Sequence, residues 1–217
     1  MRKYFLVLLT VLSGYLVTAQ IQVGVHADVI LASQKIEVSG FDLSGDNRVS
    51  WRGGLVANIP ATEQISFMPQ LNLLSKGGKF DIEDVKTEFK LTYLELPLNF
   101  VYNSSGFFAG LGPVLSYGMG GKVTATDGTD TEEIDVKFDG KKEADVTDEK
   151  LHLKGFEFSG NVLAGYKLPS GLFFKATYNF GLSNISPEDE EEGTMKNSYY
   201  GFGIGYFFGS NSGSAKK

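Results

Sequence analysis

The chain has no cysteine, a single tryptophan, two histidines and six prolines in 217 residues. Without cysteine there is no disulfide framework, no thiolate metal site and no lipid-acylated cysteine. The longest stretch of large apolar residues, Tyr4 to Leu12, interrupted only by Thr10, lies at the N-terminus and falls short of the ~20 residues a spanning helix needs. Basic residues are also scarce. Setting aside Arg2 and Lys3 leaves 18 Lys and Arg against 26 Asp and Glu, a net charge of -8. That balance argues against a nucleic-acid partner. No P-loop, HExxH or GxSxG occurs.

The first residues have the form of a secretory signal peptide: Arg2 and Lys3, the apolar run, then Thr18-Ala19-Gln20 as a small-residue cleavage site. Residues 1–19 are therefore expected to be removed. An exported chain without a helical anchor is either soluble outside the cytoplasm or inserted as a barrel.

What is abundant is glycine, 27 residues, with 27 Phe plus Tyr. Eight segments alternate apolar and polar side chains, the signature of strands. They are Gln22–Ala32, Val49–Ile59, Ile65–Leu74, Phe89–Tyr102, Gly106–Gly118, Gly155–Lys167, Leu172–Asn184 and Ser198–Phe208. Three connections are tight turns: Pro60-Ala61-Thr62-Glu63, Asn103-Ser104-Ser105 and Leu168-Pro169-Ser170-Gly171. The other four, Ser33–Arg48, Ser75–Glu88, Met119–Lys154 and Ile185–Asn197, are longer and polar. Strict alternation of long and short connections predicts an all-β, eight-stranded antiparallel up-and-down transmembrane β-barrel, with extracellular loops and both termini periplasmic. Residues 20–208 would form the barrel and 209–217 a flexible periplasmic tail.

One face of these segments is apolar and uncharged, from Val25, Val29, Trp51 and Leu55 to Phe202, Ile204 and Tyr206. The other carries His26, Asp28, Arg52, Gln70, Asn72, Glu95, Asn99, Glu157, Asn161, Lys167, Lys175 and Asn179, with many glycines. In a soluble barrel the glycine-rich face would meet water as weak strand. In a membrane barrel it faces a narrow interior, where glycine leaves room for large side chains opposite. Aromatics near both ends of the apolar face suit two interfacial girdles, although ordinary β-propensity accounts for any one of them. Strand 1 should pair with strand 8, because an open edge in hydrocarbon leaves backbone groups unpaired. Pro97 and Pro113 fall inside strands, which predicts a bulge or kink at each.

The run Thr92-Tyr93-Leu94-Glu95-Leu96-Pro97-Leu98, followed by Gly106-Phe107-Phe108-Ala109-Gly110-Leu111-Gly112-Pro113, resembles the PorT-like outer-membrane β-barrel family of Bacteroidetes. Phe174-Lys175-Ala176-Thr177-Tyr178-Asn179-Phe180-Gly181-Leu182-Ser183-Asn184-Ile185 resembles its penultimate strand, and the "TAQ" of the leader suits that phylum. The resemblance spans the mature chain. It implies an outer-membrane barrel and, from the namesake, a link to protein secretion. It transfers no functional residue. One departure is the tail after Phe208, where many such barrels end on an aromatic.

An eight-stranded barrel is just wide enough to be filled by its own side chains, so no pore is expected. Arg52, Glu95, Glu157, Lys167 and Lys175 form the expected lumen network, since buried charges must pair. Glu95 and Lys175 are the candidate contacts of a ligand-binding alternative. A Ser/His hydrolase would need a nucleophile beside His26, with Asp28 behind it and Ser50 on the neighbouring strand. His152 lies in a loop with no motif around it. The chain reads as no enzyme, with no catalytic residue, cofactor or metal site. The loops are acidic, with ten Asp and Glu against six Lys in Met119–Lys154, and Glu188-Asp189-Glu190-Glu191-Glu192 after Pro187. They read as solvated tips or, alternatively, as carboxylates for Ca²⁺ bridging lipopolysaccharide. Asp127-Gly128-Thr129-Asp130-Thr131-Glu132 departs from EF-hand spacing. Ile134, Val136 and Phe138 alternate and suggest a hairpin continuing strands 5 and 6 above the membrane. The expected partners are outer-membrane lipids, lipopolysaccharide and the barrel assembly machinery, and the expected state is a monomer. The role is structural or surface interaction; the alternatives are a small-ligand or lipid-binding barrel or a secretion accessory.

Overall fold

The computed structural model describes residues 21–38, 41–82, 85–188 and 193–209. The leader at 1–19, the tail beyond Gly209 and most of the acidic run after Glu188 lie outside the described residues. The strands are β1 (Gln22–Val38), β2 (Phe41–Ser44), β3 (Arg48–Pro60), β4 (Ile65–Lys76), β5 (Lys79–Ile82), β6 (Val85–Ser104), β7 (Phe107–Asp127), β8 (Asp130–Lys137), β9 (Leu151–His152), β10 (Phe156–Lys167), β11 (Leu172–Gly181) and β12 (Thr194–Phe208). Eight of them close a ring. β1, β3, β4, β6, β7, β10, β11 and β12 each pair antiparallel with the next, and β12 returns to β1 from Phe208 opposite Val23 to Thr194 opposite Glu37. Closure leaves the ring without an edge.

The alternation sorts the faces as the sequence implies. Val29, Leu55, Leu111, Phe107 and Phe202 are exposed on the outside, while Asp28, Arg52, Asn72, Glu95 and Asn179 are buried inside. Aromatics pair near both ends of the outer face. Phe107 meets Tyr166 at 4.7 Å between ring centroids near the short turns. Tyr117 meets Phe156 at 5.2 Å toward the long connections.

The long connections are not wholly loop. β1, β4, β6 and β7 run on past the segments read from sequence, whereas β11 stops at Gly181, short of Asn184. At ~3.3 Å per residue, the 21 residues of β7 span about 70 Å. A bilayer crossing takes only ~9–11 residues, so much of β7 projects beyond the apolar belt. There it carries β8, which in turn pairs parallel with β9. The segment with Ile134 and Val136 thus folds back on β7 and does not extend β10, which begins only at Phe156. Asp127 and Asp130 close that hairpin, with Gly128 at φ 57°.

No bulge forms at Pro97 or Pro113. Register runs unbroken across Pro97, with Pro97 opposite Val114 and Phe100 opposite Leu111. It is equally regular at Pro113, opposite Gly160. A missing N–H deletes hydrogen bonds but inserts no residue, and the alternating faces on either side hold the register. The one register shift between β6 and β7 lies elsewhere. Thr92 faces Gly120 and Tyr93 faces Gly118, which leaves Met119 as the extra residue and Gly120 at φ 151°.

Candidate functional site

The inside of the ring is the candidate site, since that is where the titratable groups converge. On β6 the inward series runs Val101, Asn99, Pro97, Glu95, Tyr93, Leu91 and Phe89, with its polar groups in the middle. The same order holds around the ring. Val56, Met68, Val101, Phe108, Leu163, Phe173 and Phe207 fill the end near the short turns. Ile30, Leu74, Phe80, Phe89, Leu91, Val123, Val136, Leu153 and Ile185 close the other. The polar groups lie between and reach into the second cluster.

Two linked ion clusters make up that polar layer. In the first, Arg52 donates through Nε to Asp28 Oδ2 at 3.1 Å and through Nη1 to the Tyr199 hydroxyl at 2.8 Å. His26 Nδ1 lies 2.6 Å from Asp28 Oδ2, and its Nε2 lies 2.9 Å from Asn72 Oδ1. Lys175 donates to Gln70 Oε1 at 3.1 Å and stands 3.6 Å from Asp28 Oδ1. In the second cluster Lys76 bridges two carboxylates, Glu157 at 2.9 Å and Glu95 at 3.2 Å, and donates to Ser116 at 3.0 Å. Asn197 donates to the other Glu157 oxygen at 2.8 Å. Tyr199 joins the clusters by donating to Glu95 Oε1 at 2.8 Å. Three cations therefore face three carboxylates, as a dry interior requires.

Room for this packing comes from small residues. A Cβ on Gly203 would collide with the Asp28 carboxylate. The exposures are 2% at Arg52 and 0% at Glu95, Asn72 and Lys76. A continuous aqueous channel would wet those side chains, so the interior is closed. Among the five residues expected to form the network, Arg52, Glu95, Glu157 and Lys175 come together. Lys167 does not; it sits at the short-turn end, donating to Gln22 Oε1 at 2.9 Å. Lys76 was missed because the sequence reading ended that strand at Leu74, while β4 continues to Lys76. The ligand contact expected between Glu95 and Lys175 is occupied on both sides by the chain's own groups. His26 and Asp28 do meet, but the Ser50 hydroxyl has no hydrogen-bond partner and so does not stand on the imidazole, whose Nδ1 lies 3.2 Å from Lys175 Nζ.

A second cluster lies outside the membrane belt. His152, read as a loop residue, is in β9 and buried, with Nδ1 2.7 Å from Asp139 and Nε2 2.8 Å from Asp148. Asp139 first, then Asp148, raises the imidazole pKa above its ordinary value, while Lys137 and then His152 hold Asp148 at about 2. The two carboxylates approach opposite ring nitrogens, a clamp on the loop that leaves no shared point for a metal ion.

The family described as "Outer membrane protein beta-barrel domain" matches residues 17–186, ending before β12. No curated protein matches. Similar solved structures include Ail, the attachment invasion locus protein of Yersinia pestis, crystallised with the heparin analogue sucrose octasulfate. It is 13% identical, covers 86% of this chain and 99% of its own, and has a TM-score of 0.43. Neisserial surface protein A is 13% identical, covers 85% and 96%, and scores 0.43. The Escherichia coli outer membrane protease OmpT is 11% identical, covers 88% and 99%, and scores 0.28. Likenesses this distant carry nothing about activity.

Proposed function

The chain belongs to the outer membrane protein beta-barrel domain family, which puts it in the outer membrane, and we propose that it works there as a sealed, monomeric, up-and-down transmembrane barrel with a structural or surface-interaction role. The observation that carries this reading is the interior itself. Two apolar clusters and a charge-balanced polar layer fill the ring, which supports a barrel that is not built to pass solutes.

Export by the leader 1–19 and insertion by the barrel assembly machinery would put both termini in the periplasm, with 209–217 as a periplasmic tail. The long connections and the β7–β8 hairpin would then stand outside the cell, where a surface role must reside. Their exposed carboxylates and paired lysines, such as Lys122 with Glu133, would meet lipopolysaccharide at the membrane surface. Within the family we place the chain near its PorT-like members, on the Thr92–Leu98 motif and the β11 sequence; a secretion accessory role would follow from that placement.

The absence of cysteine makes the orientation testable. A thiol introduced by Asp130→Cys, at the β7–β8 turn, should react with a membrane-impermeant maleimide on intact cells. One introduced by Thr62→Cys, at a short turn, should react only after the outer membrane is permeabilised. The reverse pattern would overturn the orientation, and recovery of the protein in the soluble periplasmic fraction would overturn the reading altogether.

A further inference from the structure

One of the cations without a described carboxylate partner, Lys167, lines a cleft. Among the described residues, Arg52, Lys76 and Lys175 each lie within 4 Å of a carboxylate. Arg48, also buried, donates through Nη2 to the Ser75 and Lys76 carbonyls and the Ser75 hydroxyl, with no described carboxylate within 4 Å and no partner for Nε. Lys167 has only the neutral oxygen of Gln22, and its ammonium stands 5.7 Å from the centre of the Phe207 ring. It is partly buried and lines a cleft of about 340 Å³ that opens at the short-turn end. A partly buried cation without a counter-charge loses some hydration with no compensating partner, and a bound anion supplies one.

The cleft has the other features such a ligand needs. Asn58, 7% exposed, lines it with a side-chain oxygen that has no hydrogen-bond partner. Its NH₂ group supplies the donors an anion needs. Met68, Phe108 and Phe207, all from the lower apolar cluster, also line the cleft. Glu63 lies on the exposed turn at the rim and makes no ion pair with Lys167 within 4 Å. The volume is near the lower end for ligand pockets and equals about eleven waters at ~30 Å³ each.

We infer that this cleft, reached from the periplasmic side in the proposed orientation, binds a small single-chain amphiphile with an anionic head, carboxylate or phosphate. Lys167 and Asn58 hold the head and Met68, Phe108 and Phe207 hold the tail. This site is distinct from the Glu95–Lys175 layer and lies beyond the structural role above. The two anionic heads share one chemistry, and the probes below separate them.

The test uses full-length protein refolded into nanodiscs, with folding confirmed by heat-modifiable gel migration. Hexanoate, hexyl phosphate, inorganic phosphate and hexanol are titrated while the Asn58 side-chain amide and the Ser66 backbone amide are followed by NMR. Saturable shifts with hexanoate or hexyl phosphate are expected, and whichever binds tighter identifies the head. Lys167→Gln keeps a hydrogen-bonding side chain without the charge and should weaken anion binding about tenfold or more, the scale of a lost charge-assisted hydrogen bond. Asn58→Asp, which adds a negative charge at constant size, should weaken it as well. Absence of saturable shifts with both hexyl anions would overturn the proposal. So would undiminished binding in folded Lys167→Gln, or binding of inorganic phosphate or hexanol as tight as that of the hexyl anions.

Discussion

Lys76→Met is the sharpest perturbation of the sealed interior. Lys76 is wholly buried and is the only cation within 4 Å of Glu157 or Glu95 among the described residues. The methionine fills much the same volume, so packing changes little and the effect isolates the charge. Two carboxylates are left without their ammonium, and Ser116 loses a donor. Removing one partner of a buried ion pair costs ~3–5 kcal/mol. Adding Glu157→Gln removes one stranded charge while Asn197 and Tyr199 still serve the remaining polar groups, so the double variant should recover about 1–3 kcal/mol of that loss as coupling energy. The assay is urea unfolding in lipid vesicles, read from Trp51, the single tryptophan, which is exposed on the outer face. A cost under ~1 kcal/mol for Lys76→Met, with no coupling to Glu157, would mean that water reaches the pair. The closed-interior argument would then fail.

Three further outcomes follow from the geometry. Leu111, 65% exposed on the outer face, should cost ~2–4 kcal/mol when replaced by arginine if it lies in lipid near the midplane; a change within ±0.5 kcal/mol, usual for a water-facing surface, would contradict the membrane orientation. Gly203→Ala should lower folding yield or destabilise by about 1–3 kcal/mol, because its methyl meets the Asp28 carboxylate, whereas Gly53→Ala, with the His26 carbonyl 3.6 Å away, should be tolerated; gel-shift folding assays of both variants distinguish them. The His152 imidazole should titrate above pH 6.5 by NMR, and Asp139→Asn should bring the midpoint down. Because the folded pKa is the raised one, its stabilisation of the loop is full below pH 6.5 and is lost as pH rises through the folded value. Loop amide protection that grows with rising pH would contradict the clamp.

Sequence carries the ring well because period-two alternation reports which face each residue takes, and a ring with an apolar outside makes that pattern continuous from Val23 to Phe208. It locates the interior charges for the same reason: Arg52, Glu95, Glu157 and Lys175 all fall in phase. Alternation says less about where strands stop. Above the apolar belt both faces meet water or other chain, so the contrast fades. β4 was cut at Leu74, which hid Lys76, and β11 was drawn past Gly181. It also gives no pairwise distances, so Lys167 looks equivalent to Lys175 although one ends at a mouth and the other at an aspartate. The His152 clamp left no local motif, because Asp139 and Asp148 reach it through the turn of the loop. The prolines misled in the opposite direction, since a lost donor is visible in sequence while the flanking register that absorbs it is not.

In the function proposed above, the eight-stranded ring is sealed by its own side chains. Single-channel recording of the purified, heat-modifiable protein in planar bilayers tests it most directly. Insertion without conductance steps is expected, in the native chain and in Leu111→Ala alike. Stable, reproducible steps from the native chain would contradict it.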